Sequence, residues 1–230
     1  MSLLDCGCGP ASITVGLAEV VAPGRAVGID IEPSMIAQAT TLAKNQGVNN
    51  LRFEVADITD LPYPDNSFDR VFSCAVLEHL PDPVKALKEI HRVLEPGGLA
   101  GLIKTDWGDP LISPESDAVT RFFRLFEEGF NKQGGSLNRG RHLRLIMQEA
   151  GFDVIEFFAA YGNATTPELV QAEINGYIAW MDNLPWFDQA IELNVVDQAA
   201  MNDIKDGMKQ WSELPEAFIA KGRCVAIGRK

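Results

Sequence analysis

Four residues at fixed spacing carry the chemistry this sequence offers: Asp5, Gly7 and Gly9 within Asp5-Cys6-Gly7-Cys8-Gly9-Pro10, and Asp30. Two glycines one residue apart let a backbone come close to a ligand, because no Cβ stands in the way. An apolar helical pattern follows, and the first turn of a helix offers unpaired N–H groups and a positive dipole end to an anionic group. Asp30 closes a second apolar run, Ala26-Val27-Gly28-Ile29, where a carboxylate can accept both hydroxyls of a ribose. The arrangement is that of a βαβ nucleotide-binding unit. No Gly-Lys-Ser/Thr follows, which excludes a Walker loop. Ser12 stands where a dinucleotide fingerprint has its third glycine, so that fingerprint is incomplete.

These residues need particular elements to hold them. Residues 3–8 are apolar and glycine-bounded, which predicts a buried strand. Ser12 to Val21 carries Ile13, Leu17, Val20 and Val21 at helical spacing and stops at Pro23-Gly24. Residues 26–30 read as the second strand, and Pro33 opens a helix that ends at Gly47. Leu51 to Ala56 forms a third strand before Asp57, and Phe68 to Cys74 a fourth. Asp82 caps and Pro83 begins a helix running to Leu94; Pro96-Gly97-Gly98 ends it, and Leu99 to Lys104 is the fifth strand. This alternation implies right-handed crossovers and an α/β, Rossmann-like, mostly parallel sheet with helices on both faces. A ligand then sits beyond the carboxyl ends of the strands, where Gly9, Asp30, Asp57 and Cys74 converge. Further on, helices are predicted over 120–130 and 143–150, a strand over 152–158, two or more helices within 159–216, and a closing strand over 218–228. We expect one domain over 1–230, with 106–140 and 159–216 as lid or substrate-side segments.

Composition narrows the partners. Apolar residues make up 46% of the 230-residue chain and charged ones 23%, a balance that argues against bulk disorder. A formal charge of −12 disfavours a nucleic-acid backbone or an anionic membrane surface as partner. No apolar run approaches the ~20 residues of a membrane-spanning helix, and no basic-then-apolar leader opens the sequence. The cysteines at 6, 8, 74 and 224 lack the paired spacing of a zinc site. We therefore expect no metal, reduced thiols and a cytoplasmic setting. The sequence leaves the oligomeric state open.

Asp5-Cys6-Gly7-Cys8-Gly9 resembles the D/E-x-G-x-G first motif of class I S-adenosylmethionine-dependent methyltransferases. Ala56-Asp57-Ile58, Phe68 to Cys74, Leu77-Glu78-His79-Leu80 and Arg92 to Gly98 follow in that family's order. The last two are similar to blocks of the branch that includes the ubiquinone and menaquinone C-methyltransferases. The resemblance covers 3–105 densely and 139–158 loosely. It implies a seven-stranded sheet whose last strand, antiparallel and supplied by residues 218–228, inserts beside the sixth after a helical insertion. It also implies S-adenosylmethionine as cofactor. Asp5 and the turn Gly7-Cys8-Gly9-Pro10 would face its methionine end, Asp30 its ribose and Asp57 its adenine amino group. Ile31, Met35, Ile58, Cys74 and Ala75 would complete the site. The family's helices that precede the first strand have no counterpart before Leu3: either the fold is truncated there or another chain supplies the cover over the cofactor.

Methyl transfer from a sulfonium is an in-line displacement in which the protein positions the acceptor and excludes water. A base is needed only where the acceptor keeps its proton. His79 is the candidate, with packing or capping of the next helix as its alternative role. Cys74 reads as a small hydrophobe rather than a nucleophile. Trp107, after the fifth strand, is the substrate-side candidate. Phe122, Phe123, Phe126, Trp180 and Trp186 either line the same pocket or form core. Arg121, Arg124, Arg139, Arg141 and Arg144 read as solvated helix faces paired with Glu127, Glu128 and Glu149, with a grip on an acidic substrate as the alternative. The expected function is methyl transfer to a small, aromatic or lipophilic acceptor. The alternatives are a cofactor-binding partner subunit without turnover and an NAD(P)-dependent oxidoreductase.

Overall fold

The computed structural model describes residues 1–230. The first half alternates as expected: β1 (Ser2–Cys6), α1 (Thr14–Val20), β2 (Arg25–Asp30), α2 (Pro33–Asn45), β3 (Leu51–Val55), β4 (Phe68–Cys74), a 3₁₀ turn (Leu77–His79), α3 (Pro83–Val93) and β5 (Leu94–Ser113). There follow α4 (Asp117–Lys132), α5 (Arg139–Glu149), β6 (Asp153–Ala164), α6 (Pro167–Asn183), α7 (Pro185–Glu192), α8 (Gln198–Ser212) and β7 (Phe218–Arg229). The helix starts have local causes. Pro33 and Pro83 occupy first-turn positions, and the Asp82 carboxylate accepts the Lys85 N–H at 3.0 Å.

The seven strands form one sheet in the order β3-β2-β1-β4-β5-β7-β6. β1 is buried at every residue and pairs in parallel with β2 and β4, which sets Leu4 beside Val27 and Val71. β2–β3 and β4–β5 are also parallel. Gly97 N–H donates to the Lys230 carbonyl and Lys230 N–H to that of Gly98, so the end of β7 meets the start of β5 in the antiparallel sense. Those bonds correct one expectation. Pro96-Gly97-Gly98 does not separate helix from strand, because Lys230 gives it a ladder partner; β5 begins at Leu94 and runs to Ser113. β6 likewise continues past residue 158, to Ala164.

The chain divides into two compact units. Met1–Lys104, Arg139–Ala159 and Cys224–Lys230 form the first; Thr105–Asn138 and Ala160–Arg223 form the second. The segments 106–140 and 159–216 singled out in the sequence fall almost wholly in the second unit. Leu4, Ile29, Leu87, Ile90, Leu94 and Leu102 anchor the core of the first unit. Phe122, Tyr177, Trp186, Phe187, Met208 and Trp211 anchor that of the second. The phenylalanines of α4 and Trp186 are thus core, the Trp186 indole N–H donating to the Leu125 carbonyl at 2.7 Å.

Candidate active site

The turn after β1 is tied to β2: the N–H groups of Gly7 and Cys8 both donate to the Ile29 carbonyl at 2.8 Å. Gly7 has φ +76°, and a Cβ there would meet Val76 Cγ2 at 2.1 Å. Only glycine lets this bend pack against the segment after β4. Gly9 also has positive φ, and a side chain there would meet nothing within 4 Å. The Asp30 carboxylate joins the bend to α2, accepting the Gly9 N–H at 2.9 Å and the Glu32 N–H at 3.0 Å. Gly7, Gly9 and Asp30 therefore line one cavity of about 390 Å³, within the first unit.

The other walls of that cavity come from strand ends and the segments after them. Ile29, Ile31, Glu32 and Met35 continue from β2 into α2, while Ala56, Asp57 and Ile58 follow β3. Asp57 Oδ1 accepts the Thr59 N–H at 2.7 Å, which fixes the turn. Ala75, Val76, His79 and Leu80 follow β4. Ala75 itself takes φ +57°, its N–H donating to the Ile103 carbonyl. Of the residues named from sequence, Gly7, Gly9, Asp30, Ile31, Met35, Asp57, Ile58, Ala75 and His79 meet here. Asp5, Cys8, Pro10 and Cys74 are off the wall. Pro10 is exposed, and Cys74, half-buried, is the last residue of β4. Cys8 lies so close beneath β2 that a Cβ on Gly28 would come within 3.1 Å of its own. Burial pushes the Cys8 thiol up to about 12, with the charges of Asp5 and Asp30 adding to it.

Asp5 is buried behind the bend, 2% exposed, and accepts the Thr14 hydroxyl at 2.6 Å. Burial raises its carboxyl to about 6; the Thr14 bond pulls down and the charge of Asp30 pushes up. Position 78 holds a second buried carboxylate. Glu78 (5% exposed) receives the Lys104 ammonium (1%) at 2.5 Å, and its Oε2 has no hydrogen-bond partner. Desolvation lowers the His79 imidazole below its usual range, Glu78 acting upward and Lys104 downward. The His79 side chain is itself exposed on the cavity wall.

Sequence reasoning missed Ile29, Glu32, Val76 and Leu80 on the wall, and Lys104 as the partner of Glu78. Val76 and Leu80 were signalled by their place beside His79. Lys104 lies within β5, after an apolar stretch, and nothing local marks it as a buried cation. Arg139 departs from the solvated face expected of it: its guanidinium donates to the Leu80 carbonyl at 3.0 Å. Arg121 pairs with Asp117 rather than with Glu127, Glu128 or Glu149. Trp107 belongs to β5 in the second unit, within 6.2 Å (centroid to centroid) of Phe123, Phe126, Tyr177 and Trp180.

A family profile described as "Methyltransferase domain" matches residues 4–102, the stretch that builds this cavity. Along 99% of its length the chain is 42% identical to a protein of Aspergillus luteorubrus named "Probable methyltransferase ltbC", spanning 85% of that protein. The chain belongs to the S-adenosylmethionine-dependent methyltransferases. It is 39% identical over 103 residues to the demethylmenaquinone methyltransferase of Geobacillus stearothermophilus, a match covering 44% of each chain. The fold is shared with a Haemonchus contortus phosphoethanolamine N-methyltransferase solved with S-adenosyl-L-methionine (TM-score 0.60, 18% identity), over 100% of this chain and 48% of that one. The family assignment sets aside the nicotinamide-dependent reading.

The residues present fit the methyltransferase cofactor. The cavity is within the size range of small-molecule sites. Open space stands where a side chain at Gly9 would be. Ile31, 62% exposed on the wall, offers apolar surface for a flat ring to cover. No helix is long and apolar enough to cross a membrane.

Proposed function

We propose that this methyltransferase transfers a methyl group to a small aromatic or lipophilic acceptor by in-line displacement. The observation that carries the reading is the single cavity in which the glycine bend, Asp30 and Asp57 converge. S-adenosylmethionine supplies the activated methyl group when bound. Asp30 accepts the ribose hydroxyls through oxygens already oriented by Gly9 and Glu32. Asp57 faces the adenine amino group, with Ile31, Met35 and Ile58 against the ring. The 7–9 bend approaches the amino-acid end, and Asp5 supplies negative potential from behind it. Such a site works by holding the reacting atoms in line and excluding water, not by an obligatory catalytic residue. For an acceptor that keeps its proton, such as a phenol, neutral His79 takes it. The likeness to demethylmenaquinone methyltransferase supports an aromatic acceptor; the thiol pattern supports a cytoplasmic setting, and the formal charge of −12 speaks against a nucleic-acid partner.

Two measurements test this. Calorimetric titration with S-adenosylhomocysteine should give one saturable site. Incubation with S-adenosylmethionine and a panel of phenols and hydroquinones should yield products one methyl group heavier by mass spectrometry. A folded protein that binds neither form of the cofactor would refute the site. Tight binding without product from any acceptor would favour the partner-subunit reading instead.

A further inference from the structure

The second unit contains a cavity of its own, about 240 Å³, whose polar walls are unlike those of the cofactor site. Thr105 of β5, Asn163 of β6, Glu173 of α6, and Lys221 and Arg223 of β7 face it. The Lys221 ammonium pairs with the Glu173 carboxylate, which also accepts the Tyr177 hydroxyl at 2.6 Å. Lys221 also stands 4.6 Å from the centre of the Trp107 ring and 5.3 Å from that of Tyr177. Ion pair, hydroxyl and ring faces together fix the lysine at the wall.

Glu173 balances one of the two cations. Arg223 is exposed and has no acidic partner. Asp106, on β5 beside Gly222, is not on the wall; its Oδ1 is turned toward the Gly108 N–H. The cavity is therefore net positive in a chain of formal charge −12. A guanidinium fork matches a carboxylate through two parallel hydrogen bonds, and a threonine hydroxyl and a carboxamide add further donors. The volume lies below the usual range for drug-sized ligands, which suits a small acid.

We propose that this cavity seats a carboxylate, with Arg223 as its principal partner and Lys221 as the second cation. The anion site does not rest on the proposed methyl transfer. Salicylate and its neutral analogue salicylamide are the probes, titrated into protein saturated with S-adenosylhomocysteine. Salicylate should bind at least about ten-fold more tightly than salicylamide, the margin of one charge-assisted pair. Arg223→Gln should abolish that preference and leave salicylamide and S-adenosylhomocysteine affinities unchanged. Lys221→Gln should weaken salicylate in the same direction. Equal affinities for the two probes, or a preference untouched by Arg223→Gln, would overturn the anion site while leaving the cofactor titration intact.

Discussion

Asp30 already has a backbone donor on each carboxylate oxygen, Gly9 on one and Glu32 on the other. Each oxygen keeps a second lone pair for a ribose hydroxyl. Asp30→Ala should therefore cost about 1.5–3 kcal/mol of S-adenosylhomocysteine affinity, the scale of charge-assisted hydrogen bonds. Isothermal titration reads this directly, and an unchanged dissociation constant would mean that the ribose lies elsewhere. Asp5 acts differently, because burial sets its behaviour. Its carboxyl rises from 3.8 to about 6 on folding. The folded state thus holds the proton more tightly than the unfolded chain between those values. The stabilisation is full below 3.8 and lost as pH rises through about 6. At about 1.4 kcal/mol per pH unit, the charged form costs up to about 3 kcal/mol near neutrality. Asp5→Asn keeps an acceptor for the Thr14 hydroxyl and removes the charge. In denaturant melts without cofactor, the variant should gain on the wild type as pH rises through 6, reaching a margin of up to about 3 kcal/mol. A difference independent of pH would show that Asp5 is not held at a raised value.

At the level of elements, the Glu78–Lys104 pair joins the 3₁₀ turn after β4 to β5, directly behind the segment that carries His79. Both side chains are almost fully buried, so removing either one breaks a desolvated ion pair. Lys104→Met and Glu78→Leu should each cost about 3–5 kcal/mol in urea melts, and the double variant much less than their sum. Additive losses would show that the two residues stabilise independently. The pair also marks where the sequence stopped being legible. Strands β1 to β4 and their helices could be read because glycine, proline and aspartate punctuate them locally: Pro33 and Pro83 open helices, Asp82 caps one, Gly7 and Gly9 make the bend. Lys104 with Glu78, Arg139 with Leu80 and Lys221 with Glu173 are contacts between residues far apart in the chain, and no periodicity announces them. The early end assigned to Pro96-Gly97-Gly98 has the same origin, since its ladder partner Lys230 is the last residue. Of the candidate site, the wall of the first unit's cavity was mostly legible, because it gathers where successive parallel strands end. The Lys221–Arg223 cavity was not, because its walls come from three strands and a helix of the less regular half.

Over the whole molecule, charge is divided unevenly. A chain of formal charge −12 places Asp30, Glu32 and Asp57 around one cavity and Asp5 behind it, while Lys221 and Arg223 face the other. The first arrangement should favour a ligand that carries excess positive charge, and the two forms of the cofactor test this cleanly. S-adenosylmethionine bears a sulfonium and is positive overall; S-adenosylhomocysteine has the same adenosine and amino-acid groups and is neutral overall. At about 4 Å a unit charge contributes roughly 1 kcal/mol even in bulk water, about five-fold in affinity. Between about 0.01 M and 1 M salt the Debye length contracts from about 30 Å to about 3 Å, which removes most of the contribution from charges at the cavity mouth. S-adenosylmethionine affinity should therefore fall several-fold across that range, while S-adenosylhomocysteine affinity stays nearly flat. Comparison of the two titrations cancels every effect of salt on folding, because both ligands report on the same protein. Parallel salt slopes would mean that the acidic wall does not sense the sulfonium, and that selectivity for the methyl-donating form must come from contacts at the methyl group instead.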